Sequence, residues 1–171
     1  MIIITPILIL LNILVFLYTK DNYDLSLKYG LNMLFQEEGF YWQPLTSMFM
    51  HANWTHLLMN MTVLFQFGIL LERDFGHRYK YLLIYFIGGL LTSMLSFYYI
   101  SQYEPNTNLV GASGALSVLF GWFAMRVPQM RGGLIISILL ISILPNLMGM
   151  NVAWYAHFIG FGIGWIAGYI V

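Results

Sequence analysis

The stretch “GFGIGWIAGY”, residues 160–169, places glycines at positions 160, 164 and 168, which share one face of a helix. Small residues at this spacing let the backbone of a second helix approach closely, as membrane helices often do. His157 precedes Gly160 by about one turn, so this packing would hold its ring against the neighbouring helix. The neighbour we expect is a second stretch rich in small residues, “LVGASGALSVLFG” at residues 109–121, where Ser113 lies among glycines.

The composition of the whole chain is that of an integral membrane protein. Of its 171 residues, 60% are hydrophobic and 8% are charged, whereas about a quarter of a soluble domain is charged. Seven basic residues balance seven acidic ones without clustering, which excludes a basic face for nucleic acid. The chain has no cysteine, which excludes disulfides, a thiol nucleophile and thiolate metal sites.

Six apolar runs are predicted to be membrane helices, because about 20 residues cross a hydrocarbon core of about 30 Å. They cover residues 2–19, 54–71, 80–101, 113–125, 132–147 and 153–171. The first run lacks the basic start and cleavage site of a signal peptide, so we expect it to be retained as a span. We predict an all-α, polytopic bundle of six transmembrane helices that forms a single membrane domain over residues 1–171.

The distribution of basic residues predicts the orientation of these spans. The second loop is flanked by Arg73, Arg78 and Lys80, and the fourth by Arg126 and Arg131. The third and fifth loops have no basic residue. The positive-inside rule then places both termini in the cytoplasm. The charges of both signs on the inner side favour a bacterial-type plasma (inner) membrane. The first loop, residues 20–53, is long and partly apolar, so we expect it to lie partly in the outer interface.

Polar side chains occur near the outer ends of the second, fourth and sixth spans. About 13 residues, or about 20 Å of helix, separate Ser113 from Arg126, which places Ser113 about 10 Å below the outer surface. The same count places His56, Asn60 and His157 in the outer leaflet. Each residue alone is more often a cap or a structural hydrogen-bonding group, but their shared depth favours one functional site.

The remaining candidate residues favour ordinary structural roles. His51 and Trp54 lie at the predicted interface, where amphipathic rings are common. His77 lies in the charged inner loop, and Gln66 is isolated in its span.

The inventory of polar residues restricts the chemistry. The sequence has no His-Glu-x-x-His motif for a zinc protease, and every Asp and Glu lies in a loop or at a helix end. What remains is a serine nucleophile with a histidine base and no carboxylate. The candidate oxyanion donors are the side chains of His56 and Asn60 and the backbone N–H of Ser113, with Gly111 permitting an unusual backbone geometry.

Four motifs together resemble the rhomboid family of intramembrane serine proteases: “GASG” at residues 111–114, “HANWTHLLMN” at 51–60, “AHFIGFGIG” at 156–164 and “LLERDFG” at 70–76. The resemblance implies that Ser113 is the nucleophile and His157 the general base. It implies an oxyanion hole formed by His56, Asn60 and the Ser113 amide. The supporting residues that it implies are Gly111, Gly114, His51 and Gly160.

The resemblance also implies the activity. Rhomboid proteases cleave single-span membrane proteins near their outer ends and favour small residues at the cleavage site, without metal or cofactor. A mobile fifth helix and a loop cap are thought to govern access in the family. We therefore expect transmembrane protein substrates and an active site that opens to the outer side.

Two positions depart from the family pattern. Gln43 stands in the first loop where many members have arginine, so the bonding inside that loop is expected to differ. Ser117 stands one turn after Ser113, where many members have a tyrosine that packs on the catalytic histidine. The sequence leaves open whether another ring packs on His157 or the histidine is held less firmly.

Two other functions are compatible with the sequence. A catalytically inactive rhomboid-like protein would bind membrane clients, although such proteins generally lack the serine or the histidine. A small transporter would use the polar cluster as a substrate path, but that function predicts polar residues at several depths, and the spans have few.

Overall fold

The computed structural model describes residues 2–74 and 78–170, with the backbone alone for Asp74 and Arg78. His77 and the end of the “LLERDFG” motif lie outside these residues. The described part is helical, with one isolated bridge between Leu31 and Leu109. Its helices are α1 (Ile4–Thr19), α2 (Tyr23–Tyr29), α3 (Leu34–Glu37), α4 (Gln43–Thr46), a 3-10 turn (Ser47–Phe49), α5 (Trp54–Asp74), α6 (Arg78–Tyr103), α7 (Ser113–Arg126), α8 (Pro128–Leu147) and α9 (Trp154–Ile170).

The six longest helices coincide with the six predicted spans, and the predicted all-α class is confirmed. Among the described residues, α5, α6 and α8 contain segments long and apolar enough to cross a membrane. Helices α1, α7 and α9 are shorter, with 16, 14 and 17 residues. The count of six spans and the interfacial position of the first loop stay predictions.

The junction between α7 and α8 is tighter than predicted. Helix α8 begins at Pro128 rather than at 132, and only Val127 separates it from α7. Proline suits this position because a helix leaves its first N–H groups unpaired. The side chain of Arg131 then reaches back and donates from Nε to the Ala124 carbonyl oxygen at 2.9 Å. This bond satisfies a carbonyl that the end of α7 leaves open.

Helix α7 is the central helix of the bundle. All its residues from 115 to 124 are buried, as expected for a helix that is apolar on every side. The predicted packing of α9 against it is confirmed, because a Cβ atom added to Gly160 would lie 2.5 Å from the carbonyl oxygen of Gly114. Side chains on Gly164 and Gly121 would likewise overlap backbone atoms of the opposite helix. The two backbones are therefore in direct contact along three glycines.

The buried carboxylate of Glu72 on α5 is hydrogen-bonded to the start of α1. The backbone N–H groups of Ile3, Ile4 and Thr5 each donate to the carboxylate of Glu72 at 2.8 Å. These are N–H groups that the first turn of a helix leaves unpaired, and the negative charge also suits the positive end of the helix dipole. This contact gives Glu72 of the “LLERDFG” motif a structural role.

Buried side-chain amides form a hydrogen-bond network within the first loop. Gln43 is fully buried, donates to the carbonyl oxygen of Leu27 at 2.9 Å and accepts from the backbone N–H of Asn32 at 3.2 Å. Asn32 in turn donates to the side chain of Asn108 at 2.9 Å. Gln43 therefore provides the internal bonding at the position where the family resemblance implies arginine, and the network joins the loop to the segment that enters α7.

Candidate active site

The Ser113 side chain lies at the first residue of α7, as predicted. Gly111, two residues earlier, has φ +128°, a backbone conformation that other residues rarely adopt. Its N–H donates to the carbonyl oxygen of Ser47 at 2.9 Å, which fixes the entry of the chain into the helix. The first N–H groups of a helix have no partner within it, so the Ser113 amide is available to a ligand.

The ring of His56 lies beside Gly111 and Ser113. A side chain on Gly111 would lie 2.8 Å from Nε2 of His56 and 3.6 Å from Oγ of Ser113, so both atoms border the same small space. The backbone N–H of Ala52 points at Nδ1 of His56 in a long contact of 3.5 Å. This contact favours the tautomer in which Nδ1 accepts and Nε2, which faces Gly111, carries the proton.

Asn60 lies one turn after His56 and is buried. Its Nδ2 donates to the backbone carbonyl oxygen of His56 at 2.8 Å, which uses one of its two amide protons. This bond runs to the backbone of the preceding turn, and the two residues share a face of α5, as their spacing predicts. One amide proton of Asn60 is left for another partner.

His51 is a buried neighbour of the His56 ring. The two ring centroids are 5.1 Å apart in an edge-on arrangement. Burial, and next the nearby His56, lower the pKa of His51 to about 3. A neutral His51 thus packs behind the ring that borders Gly111.

His157 is buried in the first turn of α9. The contact between Gly160 and Gly114 places that turn beside the start of α7. Within residues 2–74 and 78–170, no hydrogen bond joins Ser113 to His157. Such bonds are often long in an enzyme without its substrate and tighten when the substrate is bound.

A hydroxyl that the sequence reasoning overlooked contacts His157. Oγ of Ser142 on α8 lies 3.1 Å from Nδ1 of His157, and both side chains are buried. Ser117, the position singled out in the sequence, instead donates to the carbonyl oxygen of Ser113 at 2.7 Å. The only sequence signal for Ser142 is that it is one of two hydroxyls, with Ser137, in the apolar run of residues 134–144.

A small cavity of about 20 Å³ adjoins the Ser113 side chain, lined among others by Gly111, Gly114, Leu109 and Ala156. Its volume suits one water-sized molecule. The part of the chain that the structure describes has no cluster of three His, Cys, Asp or Glu side chains that could hold a metal ion.

Comparison with known proteins places the chain in a family. A model of the Rhomboid domain matches residues 38–171. YdcA of Bacillus subtilis is 30% identical over 139 residues, 77% of this chain and 68% of its own length. The rhomboid protease AarA of Providencia stuartii is 34% identical over 128 residues, 64% of this chain and 45% of its length.

A third relative covers nearly the whole chain. The rhomboid protease GlpG of Haemophilus influenzae is 24% identical over 178 aligned residues, which include 98% of this chain and 90% of that protein. The family model accounts for most of the chain, and the apolar helices agree with it. This protein therefore belongs to the rhomboid family of multi-pass membrane proteins.

Proposed function

We propose that this protein is an intramembrane serine endopeptidase in which Ser113 and His157 form a catalytic dyad. The observation that carries the proposal is the glycine contact between α7 and α9, which brings the first turns of the serine helix and the histidine helix together. The names of AarA and GlpG as rhomboid proteases support the same reaction class.

In the proposed reaction, Nε2 of His157 takes the proton of Ser113 while Oγ attacks the carbonyl carbon of the scissile peptide. The histidine then gives this proton to the leaving amine as the C–N bond breaks. Water then attacks the carbonyl carbon of the resulting ester while Nε2 of His157 takes a proton from the water. The histidine gives this proton to Oγ of Ser113 as the ester C–O bond breaks, which releases the carboxylic acid and regenerates the free hydroxyl. No carboxylate takes part, so packing and hydrogen bonding must orient the ring.

The negative oxygen of the intermediate requires preorganised donors. Nε2 of His56 lies beside Gly111, next to the nucleophile. Ser113 is the first residue of α7, so its N–H has no partner within the helix and is the second proposed donor. The second amide proton of Asn60 is the third proposed donor. Removal of one such donor typically lowers the rate by about 10²–10³.

The proposed substrates are single-span membrane proteins with small residues at the cleavage site. The cavity beside Ser113 is small and is lined by Gly111, Gly114 and Ala156, which agrees with this preference. We further propose that both termini lie in the cytoplasm and that cleavage occurs near the outer leaflet, as the basic residues predict.

The test is cleavage of a purified transmembrane substrate together with covalent labelling by a fluorophosphonate. Ser113→Ala and His157→Ala are expected to abolish cleavage, and both are expected to lose the label. His56→Ala and Asn60→Ala are expected to retain partial activity. Ser137→Ala, the same type of change on α8, is the control and should behave as the wild type.

Two results would contradict the proposal. Full cleavage by the Ser113→Ala protein would exclude Ser113 as the nucleophile. A folded wild type that neither cleaves substrates nor takes the label would instead favour the inactive, client-binding alternative.

A further inference from the structure

The Ser142 hydroxyl makes two contacts inside the bundle. Its Oγ lies 2.6 Å from the carbonyl oxygen of Ile138, one turn earlier in α8, and 3.1 Å from Nδ1 of His157. The Ser142 side chain is 0% exposed and His157 is 5% exposed. Both contacts are therefore made in a site that excludes competing solvent.

These contacts determine where the neutral His157 ring carries its proton. A carbonyl oxygen can only accept, so the single hydroxyl proton of Ser142 is donated to Ile138. If the hydroxyl turned to the ring instead, two buried acceptor oxygens would face each other at 2.6 Å. Nδ1 of His157 must then donate to Oγ, which leaves Nε2 as the unprotonated nitrogen.

We propose that Ser142 is a positioning residue that holds His157 in the Nδ1–H tautomer, the tautomer that an aspartate selects in a catalytic triad. The inference rests on the proposed function, because it assigns the free Nε2 to the proton of Ser113. Ser142 acts through the histidine and takes no part in bond making or breaking.

Asn146, one turn after Ser142, fixes the two helices around this contact. Its Nδ2 donates to the Ser142 carbonyl oxygen at 2.9 Å and to the Val152 carbonyl oxygen at 3.0 Å. Its Oδ1 accepts from the Val152 N–H at 3.2 Å. The end of α8 is thereby bonded to the segment that leads into α9, which keeps Ser142 opposite His157.

Ser117 cannot substitute for Ser142 as the group that orients the ring. Its hydroxyl proton is donated to the Ser113 carbonyl oxygen at 2.7 Å, and a serine has no second proton. The chain has no tyrosine at position 117, and Ser142 on α8 orients His157 in its place.

The first test compares Ser142→Thr with Ser142→Val, because the two side chains have the same shape and only threonine has the hydroxyl. Cleavage of a transmembrane substrate is measured in lipid bilayers. We expect Ser142→Val to lower kcat roughly fivefold to tenfold with little change in KM, as for the loss of one buried hydrogen bond. Ser142→Thr should retain most of the wild-type kcat, and Ser137→Val on the same helix serves as the matched control.

The second test reads the tautomer directly by ¹⁵N NMR of the histidine rings in detergent micelles. The His157 signals are assigned by their absence from the His157→Ala protein. We expect Nδ1–H in the wild type and in Ser142→Thr, and a substantial fraction of Nε2–H in Ser142→Val.

An Nε2–H tautomer in the wild type would overturn the inference. So would a Ser142→Val protein that matches Ser137→Val in both kcat and tautomer. If the wild type cleaves no substrate, the proposed function fails, and the tautomers of the wild type and the Thr and Val proteins alone decide whether Ser142 positions the ring.

Discussion

Replacing Gly164 with alanine would test the packing that brings the candidate site together. The added methyl group would overlap the carbonyl oxygen of Val118 and lie 2.7 Å from its carbonyl carbon and 2.9 Å from the Trp122 amide nitrogen. These are backbone atoms, which cannot rotate away as a side chain can. Ordinary contacts begin at 3.4 Å, so the 2.7 Å contact sets a lower bound of about 0.7 Å on the displacement, and the closer overlap with the Val118 carbonyl oxygen requires more.

We expect Gly164→Ala to lower the free energy of unfolding by about 2–3 kcal/mol, within the range for an overpacked core. Gly162→Ala, two residues earlier in α9, is the matched control because a methyl group there meets no atom within 4 Å. Loss of a helical glycine stabilises by at most about 1 kcal/mol. The control should therefore be neutral or slightly more stable than the wild type.

The assay is reversible unfolding by SDS in mixed micelles, followed by tryptophan fluorescence. Separation of α7 from α9 also moves His157 relative to Ser113, so fluorophosphonate labelling should slow on the order of 10²-fold. A Gly164→Ala protein that unfolds and reacts like Gly162→Ala would refute the direct contact of the two backbones and the reasoning built on it.

Three further predictions follow from other parts of the structure. Glu72→Gln should lower the free energy of unfolding by about 1–3 kcal/mol, because the charged acceptor at the start of α1 is lost, whereas exposed Glu37→Gln should not. Gly111→Ala should lower kcat on the order of 10²-fold, because a methyl group would lie 2.8 Å from the His56 ring. The His51→Asn protein should lose less stability than the wild type as the pH falls from 6.5 towards about 3. Thermal unfolding at each pH measures this loss.

The sign of the His51 prediction follows from its pKa. Burial and then His56 lower the folded-state pKa from 6.5 to about 3, so the unfolded chain binds a proton first as the pH falls. The stability linked to a neutral His51 is present above pH 6.5 and is lost progressively below it. Equal pH dependence of the wild type and His51→Asn would contradict this assignment.

Local spacing was sufficient to predict several features of the fold. Glycines at 160, 164 and 168 must share a helical face, and a run of small residues is the surface that such a face fits. The structure confirms that this face packs on α7 and that α7 begins at Ser113. It also places His56 and Asn60 one turn apart on the same helix, α5, as their spacing predicts. The catalytic roles of Ser113, His157, His56 and Asn60 stay predictions.

Other features depended on contacts between residues far apart in the sequence. The composition alone indicates a membrane protein, and the spacing of residues along one helix determines which of them share a face. Which hydroxyl meets His157 depends instead on the rotation of α8 about its own axis and on its approach to α9, neither of which is encoded in local spacing. For the same reason, the partners of Glu72 and Gln43 emerged only when helices distant in sequence were packed together. Only the tertiary structure therefore revealed that Ser142 contacts the histidine.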